Sequence, residues 1–125
     1  MIHLDTHVVA WLHAGLVGKM PAAALARIER EPLVVSPIVL LELEYLHEVG
    51  RISEGGGSVL EDLGRRIGLA VSAVPFAAVV ERAAAMTWTR DPFDRLIAGQ
   101  ALAEGAPLLT ADESIRRNLD LAVWD

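Results

Sequence analysis

Cysteine is absent from this chain of 125 residues, and lysine occurs once, at Lys19. Without cysteine there can be no disulfide framework and no thiolate-ligated zinc. The absence is compatible with a reducing compartment. With a single early lysine, the chain cannot supply the late lysine that a phospho-accepting receiver domain sets beside its aspartate. Basic residues are few altogether: 11 Lys and Arg face 17 Asp and Glu, a net charge of −6. That balance argues against broad nonspecific nucleic-acid binding through a basic surface. It leaves room for a local groove, or for a metal that inverts the local charge. No apolar run reaches the ~20 residues of a membrane span. Met1-Ile2-His3-Leu4-Asp5 lacks the basic start of a signal peptide, so we expect a cytoplasmic protein with no membrane partner. Neither a GxxxxGK(S/T) nor a GxGxxG phosphate loop occurs.

What is present is apolar sequence in short, regularly spaced pieces. Hydrophobic residues make up 53% of the chain, enough for one real core, and the length fits a single domain over residues 1–125. Ile2 to Asp5 is compatible with a strand ending at a carboxylate. Thr6 to Ala14 places Val8, Trp11 and Leu12 on one helical face, with Gly15 as the stop. Pro21 opens a helix over Ala22 to Arg30. Leu33-Val34-Val35 reads as a buried strand. Ser36-Pro37 follows as N-cap and first helical residue of a segment reaching about Val49. Arg51 to Ser58, with its triple glycine, is the stretch expected to be most mobile. A short helix over Val59 to Ile67, a strand over Leu69 to Val74 and a helix from Pro75 to about Met86 come next. Asp91-Pro92 starts a helix through Glu104. Pro107 to Thr110 is a strand, Glu113 to Asn118 a short helix, and Leu121 to Trp124 an edge strand. Strands alternating with helices predict an α/β fold whose parallel sheet is covered on both faces. Such folds gather their working groups outside the carboxyl ends of the strands, where strand order reverses.

Four carboxylates fall at such places. Asp5 ends the first strand and Asp112 follows the fourth. Each also has the ordinary explanation of a helix N-cap. Glu42 has Ile38, Val39, Tyr45 and Leu46 three and four positions away, a mostly apolar face. A carboxylate there is costly unless it has a partner, and a bound cation is one. Glu44, beside His47 and Glu48, reads instead as solvated. Asp94 precedes Ile97, Ala98 and Ala101 on an inward face. Asp91, one turn earlier, suits an N-cap before Pro92, with a ligand role directly or through water as the alternative. Carboxylates gathered within a few ångström repel one another unless a divalent cation joins them. An all-oxygen donor set favours Mg²⁺ or Mn²⁺ over zinc. The histidines do not compete: a strand-to-helix change separates His3 from His7, and His13 and His47 are isolated. Trp11, Trp88 and Trp124 suit core or dimer contacts better than base stacking.

The segments MIHLDTHVVAWL, SPIVLLELEYL, RDPFDRLIAGQAL and PLLTAD, in this order and spacing, resemble the four acidic motifs of PIN-domain ribonucleases. More narrowly they resemble the VapC toxins of bacterial toxin–antitoxin pairs. The resemblance covers nearly the whole chain. It implies a three-layer α/β/α PIN-like fold with strand order 3-2-1-4-5, placing the first and fourth strands side by side. It implies that Asp5, Glu42, Asp94 and Asp112 bind Mg²⁺ or Mn²⁺, with Asp91 matching the first aspartate of the DPFDR variant. The activity implied is endonucleolytic hydrolysis of RNA by metal-activated water, leaving a 5′-phosphate and a 3′-hydroxyl. A cognate VapB-like antitoxin and a homodimer are implied as well. Thr6, Ser36 and Thr110 lie beside the acidic motifs and could orient carboxylates, although Ser36 suits a helix cap better. Arg90, Arg95, Arg116 and Arg117 flank the motifs and could grip RNA phosphates. The alternative is a catalytically inactive PIN-fold module that only binds a partner.

Overall fold

Short apolar runs that cannot complete a helix become the inner strands of a parallel sheet. The computed structural model describes residues 1–125. In it, β1 (Ile2–Leu4) and β2 (Leu33–Val35) are buried throughout, as a strand covered on both faces requires. β3 (Ala70–Val71), β4 (Leu108–Leu109) and β5 (Ala122–Val123) complete a five-stranded sheet of order β3-β2-β1-β4-β5. Every pairing is parallel, and His3 at the middle of β1 lies opposite Val34 on one side and Leu108 on the other. This is the order that the acidic motifs implied.

The intervening helices are α1 (Thr6–Ala14), α2 (Ala22–Arg30), α3 (Ile38–Glu48), α4 (Gly56–Ile67), α5 (Phe76–Ala84), α6 (Pro92–Glu104) and α7 (Glu113–Asn118). A single 3-10 turn, Val17–Lys19, separates α1 from α2. Ile2, Leu4, Leu43, Ile97, Leu108 and Leu109 are all but sealed from solvent. Burial of each contributes ~1.5–3 kcal/mol. Trp11, Trp88 and Trp124 are partly buried against this core. No helix is long and apolar enough to cross a membrane.

The outer strands are shorter than the apolar runs predict, although Ser72 N–H still reaches the Val35 carbonyl at 2.8 Å beyond the end of β3. The helix expected to start at Pro37 starts at Ile38, with the Ser36 hydroxyl accepting from Ile38 N–H at 3.3 Å. The larger correction is the glycine run. Instead of a mobile loop to Ser58, Gly55 caps α4 while Gly56 and Gly57 form its first turn. A Cβ on Gly56 would sit 2.5 Å from the Leu40 carbonyl oxygen, so the glycine lets α4 pack directly on the backbone of α3. Glu44, expected to be solvated, accepts from Gly56 N–H at 2.5 Å and so satisfies an otherwise orphaned donor of α4.

Candidate active site

The chain runs outward from β1 through β2 to β3, then returns to lay β4 on the other side of β1. At this reversal the carboxyl ends of β1 and β4 lie side by side, and the acids collect there. Asp5 donates its N–H to the Leu109 carbonyl at 3.0 Å, which fixes it beside β4. Its carboxylate is 6% exposed; one oxygen accepts from Thr6 N–H at 2.8 Å and the other from the Thr110 hydroxyl at 2.6 Å. Thr110 in turn accepts from Asp112 N–H at 3.0 Å, so one side chain holds both strand ends. The Thr6 hydroxyl donates to Glu42 Oε1 at 2.5 Å, joining α3 to the start of α1. Asp112 caps α7 with one oxygen, accepting from Ile115 N–H at 2.9 Å. Asp91 caps α6 in the same manner, with Phe93 N–H at 2.8 Å. Thr6 and Thr110 thus orient acids directly. Ser36 does not: its hydroxyl donates to Gln100 at 2.9 Å, because the turn into α3 points it away from the rim.

No ion pair of the structure involves Asp5, Glu42, Asp91, Asp94 or Asp112. The consequence shows in the acidities of Asp5, Glu42 and Asp94. Burial raises Asp5 above the usual carboxylate range, against the opposing hydrogen bonds of Thr110 and Thr6, and the Asp112 charge adds to the rise. Burial likewise raises Glu42, opposed by the Thr6 bond and reinforced by Asp5 and Asp91. Asp94 is pushed from 3.8 up to about 7, first by burial and then by the charges of Asp91, Asp5, Asp112 and Glu42. Its carboxylate has no compensating hydrogen bond. Five acids from four parts of the chain therefore share one electrostatic neighbourhood.

Carboxylate-only donors with uncompensated charge suit a hard divalent cation. As they stand, no three of the side chains are gathered tightly enough to hold one ion. Mutual repulsion opposes closer approach of the charged forms, and only one oxygen each of Asp91, Asp112 and Glu42 is engaged by a hydrogen bond. The residues fit such an ion in donor type and in charge. His7, set aside as a zinc ligand in the sequence, also faces the cluster: it counteracts the rise at both Asp5 and Glu42. Its only sequence signal was its place in the turn after Asp5.

The candidate phosphate-binding arginines separate. Arg95 turns back along α6 and donates to the carbonyls of Ala83 at 3.0 Å, Ala84 at 3.3 Å and Met86 at 3.0 Å, closing the end of α5. Arg90 is exposed. Arg116 pairs with Asp125 at 2.8 Å and Arg117 with Glu113 at 3.9 Å. Both line an open groove of about 860 Å³ between α2 and α7, together with Arg27 and Arg30. That groove, the largest of the molecule, excludes all five acids.

The family model described as PIN domain matches residues 2–119. The chain belongs to the PIN-domain family. No curated protein matches it. Among solved structures it is similar to VapBC2 from Rickettsia felis, determined bound to a DNA fragment from its promoter. The TM-score is 0.65, with 23% identity and 100% of both chains covered, a likeness of fold.

Proposed function

We propose that this protein is a Mg²⁺- or Mn²⁺-dependent endoribonuclease of the cytoplasm, acting as the toxin of a VapBC-type toxin–antitoxin pair. PIN domains are generally nucleases, and Asp5, Glu42, Asp94 and Asp112 stand in the four segments that resemble the acidic motifs of such nucleases. The observation that carries the proposal is the convergence of Asp5, Glu42, Asp94 and Asp112, with Asp91 beside them, at the β1/β4 switch point without an ion pair to any of them. A pure binding surface has no need of clustered, mutually repelling acids.

When bound, a divalent cation supplies an acidified water and neutralises charge on the scissile phosphate. The protein's part is placement. Thr110 and Thr6 hold Asp5 rigid, and Thr6 also holds Glu42. The Asp94 carboxylate accepts no hydrogen bond and can turn toward an ion without breaking one. Asp112 and Asp91 each keep one oxygen outside their helix caps. Arg90, Arg116 and Arg117 are the candidate contacts to RNA phosphates. The similar solved structure is a VapBC complex, which supports a VapB-like antitoxin as the partner of this chain. The homodimer is supported by α3 and the residue that ends it, which leave Leu40, Leu41, Tyr45 and Val49 exposed.

Cleavage of RNA should require Mg²⁺ or Mn²⁺, stop in EDTA, and fall by at least ~100-fold in Asp5→Asn and Asp94→Asn. Mapping the ends should give 5′-phosphates. Full activity in both variants, or in chelator, would overturn the assignment. Failure of the wild type both to bind Mn²⁺ and to cut RNA would leave a PIN-fold binding module.

A further inference from the structure

A chain of buried polar groups runs beneath the acidic rim and plays no part in the chemistry above. The Ser36 hydroxyl donates to Gln100 Oε1 at 2.9 Å, and Gln100 Nε2 donates to the Ser72 hydroxyl at 2.9 Å. Ser72 donates onward to Glu104 Oε1 at 2.8 Å, and the same oxygen meets His3 Nε2 at 2.9 Å. Gln100 is 1% exposed, His3 2%, Ser36 3% and Ser72 8%. The chain has a direction. Each serine uses its only proton on the next acceptor, and its lone pairs take the N–H of Ile38 or Val74, both at 3.3 Å. The Gln100 amide can therefore sit only one way round. No buried side-chain nitrogen or oxygen lacks a partner, as a network that specifies geometry requires.

Apart from Ser72, which lies just beyond β3, the groups so tied belong to the parts of the chain that carry the acids. Ser36 begins the turn into α3, which bears Glu42. His3 is two residues before Asp5 on β1, and Gln100 and Glu104 belong to α6, which bears Asp94. We infer that Gln100 is a positioning residue for the acidic centre, locking the rotation and height of α6 through Ser36 at the turn into α3 and through Ser72, which in turn holds the Glu104 carboxylate that meets His3 on β1. Apolar packing is non-directional and cannot set a helix's rotation alone. A carboxylate ~6 Å from a helix axis moves by about 2 Å when the helix turns by ~20°. That is as long as a Mg²⁺–oxygen bond. Without a cation, the ionised carboxylates of Asp5, Glu42 and Asp94 push these elements apart, so a directional tie beneath them has a force to oppose.

The inference rests on the metal-centre proposal, and Mn²⁺ titration of the intact protein tests it by calorimetry or by the paramagnetic resonance of free Mn²⁺. Gln100→Met and Ser72→Ala each break the chain. Well below their melting temperatures, each is expected to bind Mn²⁺ about 10-fold more weakly. The double variant should be no weaker than the weaker single, since one break already opens the chain. Ser72→Thr, which keeps the hydroxyl, should retain wild-type affinity. Leu63→Ala, a core truncation in α4, should lower the melting temperature in EDTA without changing Mn²⁺ affinity. Wild-type affinity in both Gln100→Met and Ser72→Ala would overturn the inference; if Gln100→Met does not fold, Ser72→Ala decides. A wild-type protein that binds no Mn²⁺ would remove the metal centre itself, a separate and distinguishable failure.

Discussion

Asp94→Asn should stabilise the metal-free protein while destroying its affinity for metal. In the folded chain Asp94 is pushed from 3.8 up to about 7 by burial and by four neighbouring acids. Such a rise corresponds to about 4 kcal/mol against the ionised form. Asp94 is only partly buried, so solvent screening brings the effective penalty to roughly 2 kcal/mol. The charge also gains from its place in the first turn of α6, by ~0.3–1 kcal/mol, so repulsion wins. The sign with pH follows by linkage. Between about pH 4 and pH 7 the folded protein holds a proton that the unfolded chain releases, so stability falls as pH rises through that window and levels off above it. Urea denaturation in EDTA at several pH values measures this. The wild type should lose roughly 2 kcal/mol more than Asp94→Asn between about pH 4.5 and pH 8. Mn²⁺ at ~100 times its dissociation constant should then stabilise the wild type by about 2.7 kcal/mol, and the variant far less. Equal pH slopes in EDTA, or a variant less stable than wild type at about pH 8, would refute the electrostatic account.

Gly56→Ala should destabilise by ~1–3 kcal/mol in urea denaturation. The usual helical gain of about 1 kcal/mol over glycine is outweighed by a methyl 2.5 Å from the Leu40 carbonyl. His13 touches Asp62 at 2.8 Å through Nδ1 and Glu54 at 2.6 Å through Nε2, which only the imidazolium can satisfy by donating from both nitrogens. Burial opposes the charge, but the two carboxylates outweigh it and hold His13 above the ordinary 6.5. Its stabilisation is complete below that value and lost as pH rises through the folded pKa; a proton-resonance midpoint at or below 6.5 would count against the clamp. Arg95→Met should cost ~1–3 kcal/mol through the three abandoned carbonyls of the α5 end. Arg95→Lys should rescue little of it, since a point charge cannot reproduce the planar fork.

Much of this architecture could be read along the chain because its determinants are local. Leu33-Val34-Val35 has no helical periodicity and becomes a buried strand. Asp91-Pro92 and Asp112 announce helix starts, and both cap the expected helices. The same locality misled at Arg51 to Ser58. Three glycines in a row weaken a helix considered by itself, and what Gly56 gains is visible only once Leu40 lies against it. Arg95 shows the limit for charged side chains: its nearness in sequence to Asp94 suggested a phosphate contact, whereas the return of α6 across α5 gives it carbonyls to close.

Residue order alone was enough to say that this is an alternating parallel α/β domain carrying acids at two strand ends, at one helix start and on the apolar face of another helix. Hydrophobic spacing and cap chemistry act over three or four residues and need no distant partner. Which hydroxyl faces which carboxylate was settled by the folded chain. Ser36 meets Gln100 across 64 positions and Thr110 meets Asp5 across 105. The strength of each such contact depends on the apposition of β1, β4, α3 and α6, and the raised pKa of Asp94 comes from burial, then from neighbouring charges, that only that apposition brings together.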